Sequence, residues 1–242
     1  MRTLRQPGQL AFAGIFPLFF LIVIASGLDR AKSIPGFPAD SYVDFMLAIP
    51  FVHGALFTAL NSATEMGRDI DTGFLNRLAL TPARGVAIML GNLAGAVALA
   101  FVQFSFYFAG GMLIGADFAA GAAGVPVLFA LAALGAVAIG LAGMTVALRS
   151  GSPEAVQGIF PLFFVLLFLS SMNLPRDLIE ADWFRWIATV NPVSYLIEGL
   201  RSLVVTGWDV EALAIGFGTS ATAIAVCLVI CDRAFRARLT RT

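Results

Sequence analysis

Residues 85–116 read GVAIMLGNLAGAVALAFVQFSFYFAGGMLIGA, a run of 32 positions without a charged side chain. A helix needs about 20 residues, at about 1.5 Å each, to cross roughly 30 Å of hydrocarbon. A charge near the centre of such a helix costs at least about 2.5 kcal/mol. This run is therefore predicted to hold one transmembrane helix, over 86–114.

Five further charge-free intervals have 20 or more residues, whereas the next longest, 186–197, has only 12. They are 6–28, 45–64, 118–148, 155–175 and 212–231. We therefore predict an all-α membrane protein whose residues 1–242 form a single transmembrane domain. Its six predicted transmembrane helices lie at about 10–28, 44–64, 86–114, 124–148, 155–173 and 211–231.

The composition agrees with a chain that is solvated by lipid. It is 59% apolar and 12% charged, and a soluble domain would carry roughly twice that share of charge. The formal net charge of zero provides no basic surface, so no nucleic-acid partner is predicted. Cys227 and Cys231 share one helical face and are interpreted as small packing residues.

The distribution of Arg and Lys predicts that both termini are cytoplasmic. In that orientation the inside holds ten basic residues and the outside five, as the positive-inside rule requires. The inner set is Arg2, Arg5, Arg68, Arg77, Arg84, Arg149, Arg233, Arg236, Arg238 and Arg241, and the outer set is Arg30, Lys32, Arg176, Arg185 and Arg201. The arginine-rich tail after Asp232 is expected to lie along anionic headgroups.

The residues needed for an energy source or a catalytic centre are missing from the sequence. Lys32 is the only lysine and has no glycine-rich loop before it, which excludes a P-loop. His53 is the only histidine, which excludes a multi-histidine metal site; it can be a packed neutral side chain, line a substrate path or relay a proton. The predicted helix centres contain no carboxylate for ion coupling. Neither a catalytic residue nor a metal site is therefore assigned.

Two patterns point to helix packing. The heptapeptide GIFPLFF occurs at 14–20 and again at 158–164, and its prolines, Pro17 and Pro161, should bend two helices that then pair within or between subunits. Glycines four apart in the third helix allow close helix approach, either within one subunit or in a dimer. The glycines in question are Gly91, Gly95, Gly111 and Gly115, with Gly135, Gly140 and Gly143 in the fourth helix.

Two stretches between the predicted spans are not plain loops. Residues 65–84 carry an apolar stripe at helical spacing, which fits either a helix on the bilayer surface or one inserted into a groove of a soluble partner. Residues 173–210 are predicted to form an interfacial helix with Trp183 and Trp186, then a short helix after Asn191-Pro192. In that second helix, Glu198 and Arg201 are spaced to form an ion pair.

Three motifs resemble the membrane subunit of ABC-2 type exporters, nearest the daunorubicin and multidrug-resistance branch. They are GFLNRLALTP at 73–82 with Arg84 and Gly91, FLSSMNLP at 168–175, and WFRWI at 183–187 followed by NPVSYLIEGLR at 191–201. One departure is the start: family members usually begin with a longer amphipathic helix. Either that helix is very short here, within residues 1–9, or the natural start lies upstream.

The resemblance implies a dimer of permeases, homo- or heteromeric, with a separate ATP-binding cassette subunit that holds ATP and Mg, and a multi-pass location in the bacterial inner (plasma) membrane. The implied coupling segment would dock on the ATPase through Asp69, Asp71, Gly73, Phe74, Leu75, Arg77, Leu78, Pro82 and Arg84. The expected substrate path or outer gate comprises Pro17, Phe20, His53, Pro161, Phe164, Asn191, Pro192, Tyr195, Glu198 and Arg201.

The leading hypothesis is ATP-driven efflux of an amphiphilic small molecule, a drug or a lipid-like compound, between helices one, two and five of two subunits. On the same fold, a wide polar channel would instead favour export of a lipid-linked glycan or another lipid. A more remote alternative is an intramembrane enzyme, which would need His53 beside Ser62 or Cys227.

Overall fold

The computed structural model describes residues 7–74 and 85–239, with side chains over 14–74 and 91–238, and within these ranges the regular structure is entirely helical. The α-helices there are α1 (Pro7–Gly27), α2 (Tyr42–Met46), α3 (Ala48–Asp71), α4 (Gly85–Leu113), α5 (Gly121–Ser150), α6 (Pro153–Gly158), α7 (Phe160–Phe168), α8 (Asp182–Val190), α9 (Pro192–Val205) and α10 (Val210–Leu239). Two 3-10 turns occupy Asp29–Ser33 and Arg176–Leu178.

Four described helices are long and apolar enough to cross a bilayer by length and composition. They are Tyr42–Asp71, which joins α2 and α3, then Gly91–Leu113, Gly121–Ser150 and Val210–Arg238. Two shorter apolar helices, Gly14–Gly27 and Pro153–Phe168, occupy the first and fifth predicted spans. The prediction of an all-α membrane protein is thus confirmed for the described residues.

Helix α3 lies at the centre of the bundle. In the most apolar 18-residue stretch of Tyr42–Asp71, 83% is buried, whereas in the corresponding stretch of Val210–Arg238 only 17% is buried. Small residues let its neighbours approach: a Cβ atom added at Gly143 of α5 would lie 2.8 Å from the Cβ of Ala63. Gly135 and Gly140 of α5 are equally closely packed. The interpretation of the α5 glycines as packing residues within one subunit is confirmed.

The glycines of α4 do not all serve that purpose. Gly111 packs against Leu47, but Gly91 and Gly95 have no heavy atom within 4 Å of an added Cβ. The predicted close approach at Gly91 and Gly95 is therefore wrong within the described chain, and this part of α4 faces open space. Gly115 lies past the end of α4 in a turn with φ of +95°.

Two helices continue beyond their predicted ends. Helix α3 runs to Asp71 rather than residue 64, and α10 runs to Leu239 rather than residue 231. Residues 66, 67 and 70 are buried at the end of α3, as are Ala234 and Phe235 in α10. Charged residues end a membrane span but not a helix, since the solvated part keeps its hydrogen bonds. Ala234 and Phe235 of the tail therefore pack in the bundle, while the contact of its arginines with headgroups stays a prediction.

The fifth predicted span, 155–173, is divided rather than bent. Helix α6 ends at Gly158, α7 starts at Phe160, and Pro161 occupies the first turn of α7. A proline is tolerated in the first turn because its missing N–H would have no partner inside the helix. Pro17, in contrast, is inside the continuous helix α1. The two copies of the heptapeptide therefore differ in backbone structure.

One end of the bundle is closed by residues 170–205, which we call the cap. Its helix α8 lies on the surface, with Trp183 63% and Trp186 67% exposed, as predicted. Helix α9 is instead inserted among the other helices, and most of its side chains are buried. It crosses α10 closely because Gly199 and Gly216 face each other, with an added Gly216 Cβ only 3.4 Å from the Cα of Gly199.

Candidate functional site

Arg201 is the centre of the cap and is 5% exposed. Its Nε donates to the carbonyl of Phe45 at 2.9 Å, and its two terminal nitrogens donate to the carbonyls of Ser171 and Met172 at 2.9 and 2.8 Å. The guanidinium also lies 3.5 Å from the centroid of the Phe45 ring. A guanidinium presents five donors in a planar fork, so one side chain can join three backbone segments. Arg201 thus joins α9 to the end of α2 and to the chain that follows α7.

The predicted ion pair between Glu198 and Arg201 is wrong. Glu198 accepts two hydrogen bonds from Arg176, both at 2.7 Å, in a bidentate pair whose side chains are about a quarter exposed. The Arg176 guanidinium also lies 4.5 Å from the centroid of the Tyr195 ring. Burial opposes its charge, but the hydrogen bonds and proximity of Glu198 outweigh this and raise the pKa of Arg176.

Asn191 fixes the start of α9. Its Oδ1 accepts from the backbone N–H of Val193 at 3.0 Å, which caps the helix. Its Nδ2 donates to the carbonyls of Leu166 and Leu169 at 2.6 and 3.0 Å, near the end of α7. Pro192 then occupies the first turn. The Asn-Pro pair therefore both starts α9 and holds it against α7.

Both copies of the heptapeptide contact the same pair of side chains on α3, His53 and Phe57. The His53 ring lies 5.3 Å from Phe20 of the first copy and 5.7 Å from Phe164 of the second. Phe57, one turn further, lies 6.2 Å from Phe16 and 5.6 Å from Phe160. Since Phe16 and Phe160 are equivalent positions of the repeat, as are Phe20 and Phe164, the two copies use the same residues. We call these six rings the aromatic cluster.

His53 is completely buried in the aromatic cluster. Its Nδ1 lies 3.1 Å from the carbonyl of Ile49 in the same helix, and its Nε2 has no hydrogen-bond partner. Ser62, the nucleophile considered for an intramembrane enzyme, donates its hydroxyl to Asn92. The structure therefore does not pair His53 with Ser62.

Helix α7 contacts both groups of predicted substrate-path residues, those around His53 and those around Asn191. Its Phe164 belongs to the aromatic cluster, and its last turn accepts the hydrogen bonds of Asn191. Pro17 is buried in α1, whereas Pro161 is exposed in α7. The residues form two neighbouring groups, one around His53 and one around Arg201.

The predicted coupling segment is described only at its start. Asp69 and Asp71 lie in the last turn of α3, Gly73 has a φ of +69°, and Phe74 is 48% exposed. Positive φ suits glycine, so Gly73 can turn the chain away from the helix. Leu75, Arg77, Leu78, Pro82 and Arg84 lie outside the described residues.

Comparison with known families supports the resemblance found in the motifs. The model of the ABC-2 type transporter family matches residues 1–205. The chain belongs to this family. It is therefore a membrane permease of the ABC-2 type, and the matched range ends with α9, at the residue where the cap is complete.

Curated relatives of this ABC-2 permease carry a matching description. It is 28% identical over 203 residues to "Putative transport permease ycf38" of Cyanophora paradoxa, covering 82% of this chain and 69% of the relative. Proteins of the same name from Porphyra purpurea and Pyropia yezoensis are 27% and 29% identical, covering 86% and 84% of this chain and 72% and 70% of theirs.

Several residues that build these sites were not predicted from the sequence. They include Arg176 and Ser171 within the cap, Phe45 where the cap contacts α2, and Phe57 in the aromatic cluster. The first three act across at least 22 positions of the chain, so helical spacing cannot reveal them. Phe57 was detectable, since it lies four positions after His53 on the same face of α3.

Proposed function

We propose that this ABC-2 permease is the membrane subunit of an ATP-driven exporter for an amphiphilic small molecule, a drug or a lipid-like compound. A separate ATP-binding cassette subunit binds ATP and Mg, and two permease copies form the path across the plasma membrane. Each copy crosses six times, with α1 and α6–α7 as the two shorter spans and with both termini in the cytoplasm. The cap then covers the outer mouth.

The observation that carries the proposal is the position of α3. The helix is buried through the bundle and continues, without a break, to Asp71, so that its last turns are the first part of the coupling segment. At the same end, the backbone of Gly67 meets Pro153 of α6, with an added Cβ only 2.9 Å from the Pro153 Cα. A movement of the coupling segment would therefore act directly on α3 and on the start of α6.

Co-purification with the ATPase tests this proposal. We expect Leu75→Asp and Phe74→Asp to abolish retention of the ATP-binding subunit by the tagged permease, because each places a carboxylate on the apolar docking face. ATP hydrolysis stimulated by the permease should be lost with it.

The matched control is Leu113→Asp, which adds the same charge at an 88% exposed position at the other end of α4. It should insert into the membrane and retain the ATPase. If Leu75→Asp and Phe74→Asp are both present in the membrane at normal amounts and still retain the ATP-binding subunit fully, the coupling assignment is contradicted.

A further inference from the structure

The ring of His53 has one nitrogen that donates and one that accepts. Its Nδ1 lies 3.1 Å from the carbonyl oxygen of Ile49, and a carbonyl only accepts, so the ring proton lies on Nδ1. A charged imidazolium among apolar rings within a span would be costly, so the ring is neutral. A neutral imidazole has a single ring proton. The Nε2 of His53 is therefore a hydrogen-bond acceptor.

That acceptor is buried without a donor. His53 is completely buried, and its Nε2 makes no hydrogen bond within the described residues. The centroids of the rings around it lie at 5.3 Å for Phe20, 5.7 Å for Phe164 and 6.4 Å for Phe16, and a phenyl ring has no hydrogen-bond donor. Buried acceptors nearly always have a donor, because an unmatched one loses its hydrogen bond to water without a replacement.

Packing alone does not require an imidazole at position 53. A phenylalanine or a leucine would fill the same space against the surrounding rings and would bury no unmatched nitrogen. The hydrogen bond to Ile49 stays inside α3, so it does not join His53 to another helix. A ligand that donates a hydrogen bond to Nε2 would account for the imidazole.

The cover over His53 is made of side chains and of one short helix. Phe20 and Phe164 contact its ring and are only partly buried themselves. Within α7, only Leu167 is buried, and the backbone is broken at Ile159, which ends α6 and precedes α7. Residues at the ends of helices can absorb the backbone change of a hinge. A tilt of α7 about this break would move Phe164 away from His53 while α3 stays in place.

The aromatic cluster favours particular features in a ligand. Its five phenylalanine rings meet one another and His53 in tilted and edge-to-face arrangements, which a further apolar ring can join. The Nε2 of His53 requires a hydroxyl or N–H group on that ligand. An ether in the same place would set an acceptor against an acceptor. A site that is built for a donor strongly rejects the analogue without one.

We infer that the aromatic cluster binds an apolar, ring-bearing amphiphile with a hydroxyl or N–H group, which donates to the Nε2 of His53 once α7 has moved aside. His53 then determines the specificity of the predicted substrate path. The inference rests on the proposed function for its role in transport, and it narrows the substrate class from amphiphiles in general to hydrogen-bond donors. The binding itself does not require the ATPase.

Nitrogen NMR of the full chain in lipid nanodiscs tests the inference. His53 is the only histidine in the sequence, so isotopic labelling of histidine nitrogen, with a purification tag that lacks histidine, reports on this ring alone. Without ligand we expect the proton on Nδ1 and none on Nε2. The probe para-nonylphenol should shift the Nε2 signal saturably towards that of a protonated nitrogen. Its methyl ether keeps the apolar body without the donor and should produce less than about a fifth of the shift.

A matched pair of variants on α1 tests the contribution of the rings. Phe20→Leu should raise the para-nonylphenol concentration that gives half of the shift at least about fivefold, because it removes a ring that contacts His53. Phe19→Leu makes the same change at the neighbouring position, which is 60% exposed, and should bind the phenol as the unchanged protein does.

A second measurement uses the permease assembled with its ATPase. There para-nonylphenol should stimulate ATP hydrolysis more than its methyl ether does. His53→Phe should remove this difference, because it keeps an apolar ring but lacks the acceptor. Normal retention of the ATPase by His53→Phe would show that the variant is folded.

A proton on Nε2 in the ligand-free protein, equal shifts with the phenol and its ether, or no shift with either would overturn the inference. Equal binding by Phe20→Leu and Phe19→Leu would also overturn it. Such results together with loss of ATPase retention in the coupling variants would leave the proposed exporter, with its substrate bound elsewhere. Donor-selective binding together with undiminished ATPase retention in those variants would contradict the coupling assignment and leave the binding site.

Discussion

At the scale of single residues, the cap depends on one guanidinium. Arg201 supplies three hydrogen bonds to backbone carbonyls that are buried away from water, and a buried carbonyl without a donor costs about 1–3 kcal/mol. An isolated ion pair on a helix surface would contribute far less. The sequence suggested that lesser role because Glu198 is three positions away.

We expect Arg201→Lys to lower the free energy of unfolding by about 2–4 kcal/mol, because a lysine ammonium cannot reach three separate carbonyls at once. For a chain of this size the melting temperature should fall by roughly 5–15 °C. Thermal unfolding in detergent, followed by size-exclusion chromatography, measures the change.

Arg236→Lys provides the control for this prediction. Arg236 is 77% exposed and pairs with Asp232 four positions earlier, so the same substitution should shift stability by less than about 0.5 kcal/mol. An Arg201→Lys protein as stable as this control would show that the three carbonyl contacts contribute little.

At the scale of elements, the repeated heptapeptide acts through its rings rather than through its prolines. Pro17 lies inside a continuous helix and Pro161 starts a new one, so the backbone is not repeated. The phenylalanines at equivalent positions nevertheless contact the same residues of α3. Helix α3 is therefore held from both α1 and α7 by matching side chains.

We expect Phe20→Ala and Phe164→Ala each to destabilise the protein by about 1.5–3 kcal/mol, since each removes a half-buried ring beside His53. The double variant should differ from the sum of the two by about 0.5–1 kcal/mol because both rings touch one side chain. Thermal unfolding of the four proteins completes the cycle.

Phe19→Ala serves as the reference, since Phe19 neighbours Phe20 but is 60% exposed. Its effect on the unfolding of a single subunit should be small. Strict additivity of the Phe20 and Phe164 effects would mean that the two heptapeptides are not coupled through α3.

The sequence predicted the positions of helices well where a long apolar run in lipid is enough to determine them. The spans at 10–28, 86–114 and 124–148 agree with α1, α4 and α5 within about three residues, because a long apolar run has to be a helix in a membrane. The sequence did not predict that α3 continues to Asp71 and α10 to Leu239, because packed residues there extend each helix past its charged side chains. It also failed at Glu198, since its partner Arg176 is brought close only by the fold of the cap.

At the scale of the whole molecule, two hydrophobic clusters are stacked along the bundle. The first contains buried residues of α1, α2, the first half of α3, α4, α5, α7, α9 and α10, and the second contains buried residues of the second half of α3, α4, α5, α6 and α10. Because α3, α4, α5 and α10 contribute to both, these four helices connect the cap with the opposite end. The proposed orientation places the cap outside and the second cluster near the cytoplasm.

Cysteine labelling checks this orientation. In a Cys227→Ala, Cys231→Ala background, Ser33→Cys should react with a membrane-impermeant maleimide on intact cells, because the turn that contains it lies outside in the proposed topology. Ser150→Cys, at the end of α5, should react only after the cells are permeabilised. Both serines are exposed, so access to the reagent depends on the side of the membrane.

Reaction of Ser150→Cys on intact cells would reverse the assignment of α5 and with it the position of the cap. Protection of both positions on intact cells would place the turn after α1 inside, which contradicts six crossings.

The hydrogen bonds of Arg201 also set an order of events during biosynthesis. The carbonyl of Phe45 accepts from a residue that is translated 156 positions later. At about 5–20 residues per second, the ribosome takes about 8–30 s to reach Arg201. During that interval the early helices are already in the bilayer while their cap partner is still unsynthesised. A nascent chain halted before Arg201 would therefore be inserted but unfinished, and it would be a natural target for membrane quality control.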